Sequence, residues 1–125
     1  MARPVKTPGP DHPISVVPTG ARVVVRSGGK VVADTTAALT LQEMDYPAVQ
    51  YIPLADVAAD ALRPTDSSTY CPYKGDASYY SLVGSDGTEI GDAVWTYTEP
   101  YDAVGAIAGH VAFYPQHVEV EVATA

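Results

Sequence analysis

Short runs of alternating apolar and polar residues recur along the chain, and a period of two is the mark of half-buried strands. Arg22-Val23-Val24-Val25-Arg26 is β-branched, Ser27-Gly28-Gly29 supplies a turn and Lys30-Val31-Val32-Ala33-Asp34 returns, which predicts a hairpin. Thr35 to Leu41 has no decisive period, and a short apolar run after Tyr46-Pro47 reaches Tyr51-Ile52-Pro53. Leu54 to Leu62 reads as a brief helix, because Leu54, Val57, Ala58 and Ala61 share a stripe and Arg63-Pro64 ends it. After the Thr65-Asp66-Ser67-Ser68 loop, Ser78 to Val83 reads as a strand, Gly84-Ser85-Asp86-Gly87 as a turn, and the run ending Val94-Trp95-Thr96-Tyr97 as the returning strand. Asp102 can cap a helix to about Phe113, striped by Val104, Ile107, Ala108 and Val111. His117-Val118-Glu119-Val120-Glu121-Val122 predicts a last strand with valines in and glutamates out.

These elements describe a mainly β (α+β) domain with one or two short helices. Residues 1–20 hold five prolines (Pro4, Pro8, Pro10, Pro13, Pro18), which remove backbone donors and favour extended chain. They read as an arm that lies over the domain or frays, ahead of one β-rich domain over residues 21–125. No internal repeat or interdomain linker is visible.

At 125 residues, 46% of them hydrophobic and 18% charged, the chain has a globular composition and can bury a core without staples. No apolar run reaches the roughly 18 residues of a membrane span. Met1-Ala2-Arg3-Pro4-Val5-Lys6 leads into prolines and not into an apolar signal segment. The single cysteine forms no internal disulfide, so the expected location is the cytoplasm.

Charge sharpens this reading. All seven Lys and Arg residues lie at or before Lys74, where seven acids balance them; the net charge of −8 therefore belongs wholly to residues 75–125. Nucleic acid and anionic membrane surfaces are recognised by basic clusters, and this chain has none, so neither is expected as a partner.

Nine tyrosines against one phenylalanine point to a surface in which phenols serve a purpose. Tyr70, Tyr73, Tyr79, Tyr80, Tyr97, Tyr101 and Tyr114 crowd the second half. A core that needed only apolar volume would use Phe and Leu, because a buried phenol must find a hydrogen-bond partner. Strand positions also favour aromatics as such, so a single tyrosine carries little weight and the cluster more.

Within that half, Cys71-Pro72-Tyr73-Lys74-Gly75 is the candidate site. Pro72 presets a turn and Gly75 permits a backbone that returns the chain to a strand. Lys74 is the last cation in the sequence and an anchor for a carboxylate or an anionic ligand group. A cation beside Cys71 would favour its thiolate; alternatively Cys71 is a small buried hydrophobe and Lys74 a structural ion-pair partner. His110 lies off the Val104 stripe; facing the tyrosines it would be a proton acceptor, and otherwise a boundary histidine. No metal is expected, since Cys71 is alone and His12, His110 and His117 are scattered, with His12 in the arm. No glycine fingerprint for a nucleotide cofactor is present, and no cofactor is expected.

Val31-Val32-Ala33-Asp34-Thr35, Tyr51-Ile52-Pro53, Cys71-Pro72-Tyr73-Lys74-Gly75-Asp76-Ala77-Ser78-Tyr79, Ala93-Val94-Trp95-Thr96-Tyr97 and Ile107 to Tyr114, in that order, resemble the bacterial domain-of-unknown-function family 427. The resemblance covers about residues 20 to 122. It implies coiled antiparallel sheets of β-tent type, the topology of methionine-R-sulfoxide reductase, without that group's paired zinc-binding cysteines. The family has sometimes carried a nucleotidyltransferase-like label, but the paired acids such a transferase needs for its metal ions are absent from this sequence. The resemblance implies no activity.

Two functions are therefore expected to compete. One is a small-molecule pocket, with Tyr73, Tyr79, Trp95, Tyr97 and Tyr114 as walls, Lys74 as anchor, and Cys71, Lys74 or His110 as acid, base or nucleophile in cofactor-independent chemistry on a small metabolite. The other is a protein-interaction or structural module, homo-oligomeric through the same aromatic surface. A cleft among the aromatics favours the first and a flat patch the second.

Overall fold

The computed structural model describes residues 4–84 and 86–123. Its strands are β1 (Ile14–Pro18), β2 (Val23–Ser27), β3 (Lys30–Thr35), β4 (Leu39–Glu43), β5 (Val49–Pro53), β6 (Leu62–Cys71), β7 (Gly75–Val83), β8 (Glu89–Thr96), β9 (His110–Phe113) and β10 (Glu119–Val122). They form two antiparallel sheets, a seven-stranded one ordered β1-β4-β5-β9-β8-β7-β6 and a three-stranded one ordered β10-β2-β3. The short β9 is thus the middle of the large sheet, joining β5 on one side to β8 on the other.

The pleat explains the core. Val23, Val25 and Val32 of the small sheet pack on Ile52, Leu82, Val94 and Val111 of the large one, most of them wholly buried. Each such side chain contributes roughly 1.5–3 kcal/mol by leaving water. One residue along each strand the side chains point the other way: Tyr51 precedes Ile52, Trp95 follows Val94, Ala112 follows Val111. These join Leu41, Ala77, Tyr97, Val104 and Ile107 in a second cluster on the opposite face. Tyr51, Tyr79, Trp95 and Tyr97 therefore occupy the face of the large sheet that the small sheet leaves uncovered.

The hairpin of β2 and β3 and the strands around Tyr79 and Trp95 agree with the sequence pattern, and the short apolar run ending at Pro53 forms β5. The turn predicted at Gly84-Ser85-Asp86-Gly87 is closed by Gly84 N–H to Thr88 O, 2.8 Å, with Ser85 outside the described residues. The helices need correction, because no α-helix occurs among the described residues and only short 3-10 turns do. Leu54–Asp56 and Ala59–Ala61 are separate turns, since Val57 is extended (φ −99°, ψ 137°) and bridges Ala33 of β3. Asp102–Ile107 is likewise 3-10, kinked at Val104, and Gly109 at φ +76° then swings the chain into β9. Two glycines weaken helix over this stretch, and the central place in the sheet offers residues 110–113 a ladder on both sides.

The Thr65–Ser68 loop is also corrected, to an irregularity within β6 where its pairing with β7 shifts between Pro64 and Ser68. The last strand is correct in alternation but not in burial. Val120 stands opposite Val25, on the inner face, yet stays 40% exposed. From the Pro-rich stretch, Ile14–Pro18 pairs with β4 as β1. Ahead of it the chain lies on the domain, with Lys6 N–H bonded to Pro72 O at 2.9 Å and the Tyr70 hydroxyl to Pro4 O at 2.6 Å.

Candidate functional site

The uncovered aromatic face is concave, and the cleft in it holds about 220 Å³. Trp95 and Tyr79 sit side by side in the β7–β8 register, with Trp95 also opposite Ala112 of β9. The small Ala112 leaves room for the indole to lean on Tyr114, ring centroids 4.6 Å apart at 50°. On the other side the Trp95 Nε1–H donates to the Tyr51 hydroxyl at 3.1 Å, with the rings edge to face. Tyr97 completes the inner wall, while Leu41, Val49, Tyr46 and Pro47 supply the wall from β4, β5 and the loop between them. That loop is clamped: Met44 takes φ +50°, its N–H donates to Pro13 O, and Gln42 Nε2 donates to the carbonyls of Met44 and Tyr46.

Among the described residues, the cleft's only charged lining residues are Lys74 and Glu43. Lys74 leaves the tight Cys71–Gly75 turn, in which Lys74 N–H bonds Cys71 O at 3.2 Å and Gly75 adopts φ +107°. Its Nζ donates to Glu43 Oε1 at 2.7 Å, and both side chains are largely buried. The other oxygen of Glu43 meets His12 Nε2 at 2.6 Å. Burial alone would push the Glu43 carboxyl up, but the hydrogen bonds from Lys74 and His12 outweigh it and hold the group below its ordinary value. Glu43 is thus a spent carboxylate, both oxygens engaged. The phenols behave oppositely: burial raises Tyr51 to about 12 and moves Tyr97 and Tyr114 in the same direction, the last aided by a hydrogen bond to Tyr79. At neutral pH the walls therefore present O–H and N–H donors.

Among the residues singled out from sequence, Lys74, Tyr79, Trp95, Tyr97 and Tyr114 meet in this cleft. Tyr73, expected as a wall, turns away and stacks on His12, centroids 4.0 Å apart and planes within 7°. Cys71 packs in the second cluster and does not line the cleft. His110 begins β9, its Nδ1 3.0 Å from Ala108 O, and also lies outside the lining. Cys71 and His110 thus do not join Lys74 on the cleft wall.

Sequence reading missed Glu43, Tyr51 and the Tyr46-Pro47 rim. A signal for Glu43 was present: in Leu39-Thr40-Leu41-Gln42-Glu43 the acid shares the face of the two leucines, where a charge needs a partner. His12, in the Pro-rich arm, is tied to the same carboxylate. Beside the cleft, Thr69 Oγ1 and the Tyr79 hydroxyl lie 2.8 Å apart, and Asp92, at φ +53°, accepts from Thr65 and Ser67. Among the described residues no three His, Cys, Asp or Glu side chains come together to hold a metal ion, and no helix is long and apolar enough to cross a membrane.

Comparison with curated proteins finds no match to the chain. The family model described as Domain of unknown function (DUF427) matches residues 15–124, a span that contains every strand from β2 to β10 and all the cleft-lining residues. With the match covering most of its length, the chain belongs to the DUF427 family.

Proposed function

We propose that the tyrosine cleft binds a small, planar, acceptor-bearing metabolite, with Lys74 as the charged donor to its carbonyl or similar oxygen. The observation that carries this reading is the convergence of Trp95, Tyr114, Tyr79 and Tyr97 around one buried Lys74–Glu43 pair in a concave site. At about 220 Å³ the cleft lies below the roughly 300–1,000 Å³ of drug-sized pockets, which favours a compact ligand. The paired charges cancel, and with Glu43 already engaged twice the site has little to offer a cation. A neutral ring with an acceptor atom suits the remaining donors.

Any acid–base step in this reading falls to Lys74, the one charged proton donor on the wall; Cys71 and His110 take no part. The concavity of the aromatic face supports a pocket over the alternative of a flat interaction patch. The pairing of a three-stranded with a seven-stranded antiparallel sheet supports the β-tent assignment, which we propose for the topology.

Trp95 is the sole tryptophan, so its fluorescence reports the cleft directly. A library of small aromatic carbonyl compounds is titrated against wild type and Lys74→Met, with thermal shift in parallel. The expected result is a compound that changes Trp95 emission, raises Tm, and binds the variant about 10-fold or more weakly. Binding that leaves Trp95 unchanged, or that Lys74→Met does not weaken, defeats the proposal.

A further inference from the structure

The tyrosine cleft has a neighbour of opposite character. A second concavity of about 180 Å³ opens between the sheets, lined by Val25, Ala48, Phe113, Pro115 and Val120, with Gln50 its one polar side chain. Pro47, Val49 and Trp95 line both clefts, so the two share a wall. One is rimmed by phenols and an ion pair; the other is almost wholly apolar.

Val120 shows that the second cleft lacks an occupant supplied by the described chain. Directly opposed residues of an antiparallel pair project to the same face, so Val120 points inward with Val25. Val25 is fully buried, yet Val120 remains 40% exposed. An inward valine facing an open apolar cleft is surface that an apolar group would remove from water. A second copy of the chain is a poor occupant. Pairing through the β10 edge would bring Glu119 and Glu121 of one copy against the same acids of the other, and like charges across a ladder destabilise it. The net charge of −8 adds repulsion.

We infer that the two clefts together take one amphipathic small molecule, its acceptor-bearing aromatic head in the tyrosine cleft and an unbranched alkyl or acyl chain in the second, against Val120, Phe113 and Ala48. This rests on the proposed function for its head group and adds the class of ligand. Trp95 is the hinge of the arrangement, since the head stacks on an indole that also borders the chain site. The apolar cleft contributes through area alone, so affinity should grow with chain length and not with added polar groups.

The test uses methyl, propyl and pentyl 4-hydroxybenzoate, titrated by calorimetry against wild type, Val120→Glu and Ala48→Glu, with sedimentation of the free proteins. Both variants place a carboxylate in the second cleft from exposed positions that line it, and either one suffices if the other does not fold. The expected result is that the methyl ester binds all three proteins alike. Wild-type affinity then rises about fourfold per added methylene, and that rise is lost in the variants. A flat series with methyl-ester binding intact overturns the chain site and leaves the tyrosine-cleft reading standing. A rise that persists in both variants also overturns it, by placing the chain elsewhere. Failure of every ester to bind overturns both readings for this head group. A dimer that Val120→Glu dissolves, with no chain-length dependence, assigns the face to a second copy instead.

Discussion

Glu43 and Lys74, 31 positions apart in sequence, meet in a 2.7 Å ion pair on the wall of the cleft. The pair links the end of β4 to the turn between β6 and β7, elements at opposite sides of the seven-stranded sheet. It therefore draws the sheet's flanks together over the aromatic face, as well as supplying the cleft's charge.

Breaking the pair should cost more than removing it. With side chains only 12% and 17% exposed, Lys74→Met leaves a carboxylate with half its compensation and should destabilise by about 2–3 kcal/mol, below the range for fully buried pairs. The double variant Lys74→Met/Glu43→Gln should lose less than the single one. Urea unfolding of the three proteins checks the order.

Acid should act through the same group. The native Glu43 pKa lies below the unfolded value of 4.5, so the unfolded chain binds the proton more readily. The stabilisation is complete above about pH 4.5 and is lost as pH falls through the lower native value. Asp34, Asp86 and Asp92 are lowered too and shape the same limb, so the diagnostic quantity is the difference from Glu43→Gln. The variant should show a shallower decline in stability on acidification, followed by thermal melts at stepped pH.

Alkali should act through the phenols with the opposite sign. Tyr51 is raised from 10.0 to about 12, so its contribution is whole below pH 10 and is lost as pH climbs toward 12. Ultraviolet titration should resolve a late group of tyrosines, Tyr51 among them, that ionises only as the fold opens. Tyr51→Phe should remove one of the late group and cost about 1 kcal/mol, since Trp95 Nε1–H loses its acceptor.

Gly75→Ala should be costly although the site is not crowded. A methyl there would meet Glu99 O at 3.4 Å, an ordinary contact, but φ +107° is a conformation that L-residues rarely adopt. A loss of about 1–3 kcal/mol is expected, with weaker ligand binding because Lys74 precedes the strained residue. Chemical unfolding and the Trp95 titration measure the two effects separately.

Strands were legible because their period is local. Val23 to Asp34 could be read as a hairpin from its own residues, and Lys74, Tyr79, Trp95, Tyr97 and Tyr114 from their crowding in one half. What stayed hidden depended on distant partners. The stripe of Val104, Ile107, Ala108 and Val111 suits a helix in isolation, and only the vacant place between β5 and β8 makes residues 110–113 a strand. Tyr73 and Tyr79 look equivalent in sequence, yet one follows the turn toward His12 and the other the pleat toward Trp95. Glu43 lies in the half of the chain whose charges balance, so nothing in the charge asymmetry drew attention to it.

The position of β9 also bears on how this protein acquires its site. Leu41, Glu43 and Tyr51 lie on one side of that strand, and Tyr79, Trp95 and Lys74 come from elements on the other. During synthesis the amino-terminal strands can emerge and collapse long before residues 110–113 exist to bridge them to β8. The wall of the cleft is consequently among the last surfaces to be assembled, by contacts of long sequence separation that slow folding. Until then Trp95 can have its β7 neighbour Tyr79 but lacks Ala112, Tyr51 and Tyr114, so its emission should reach the native value only when β9 joins the sheet.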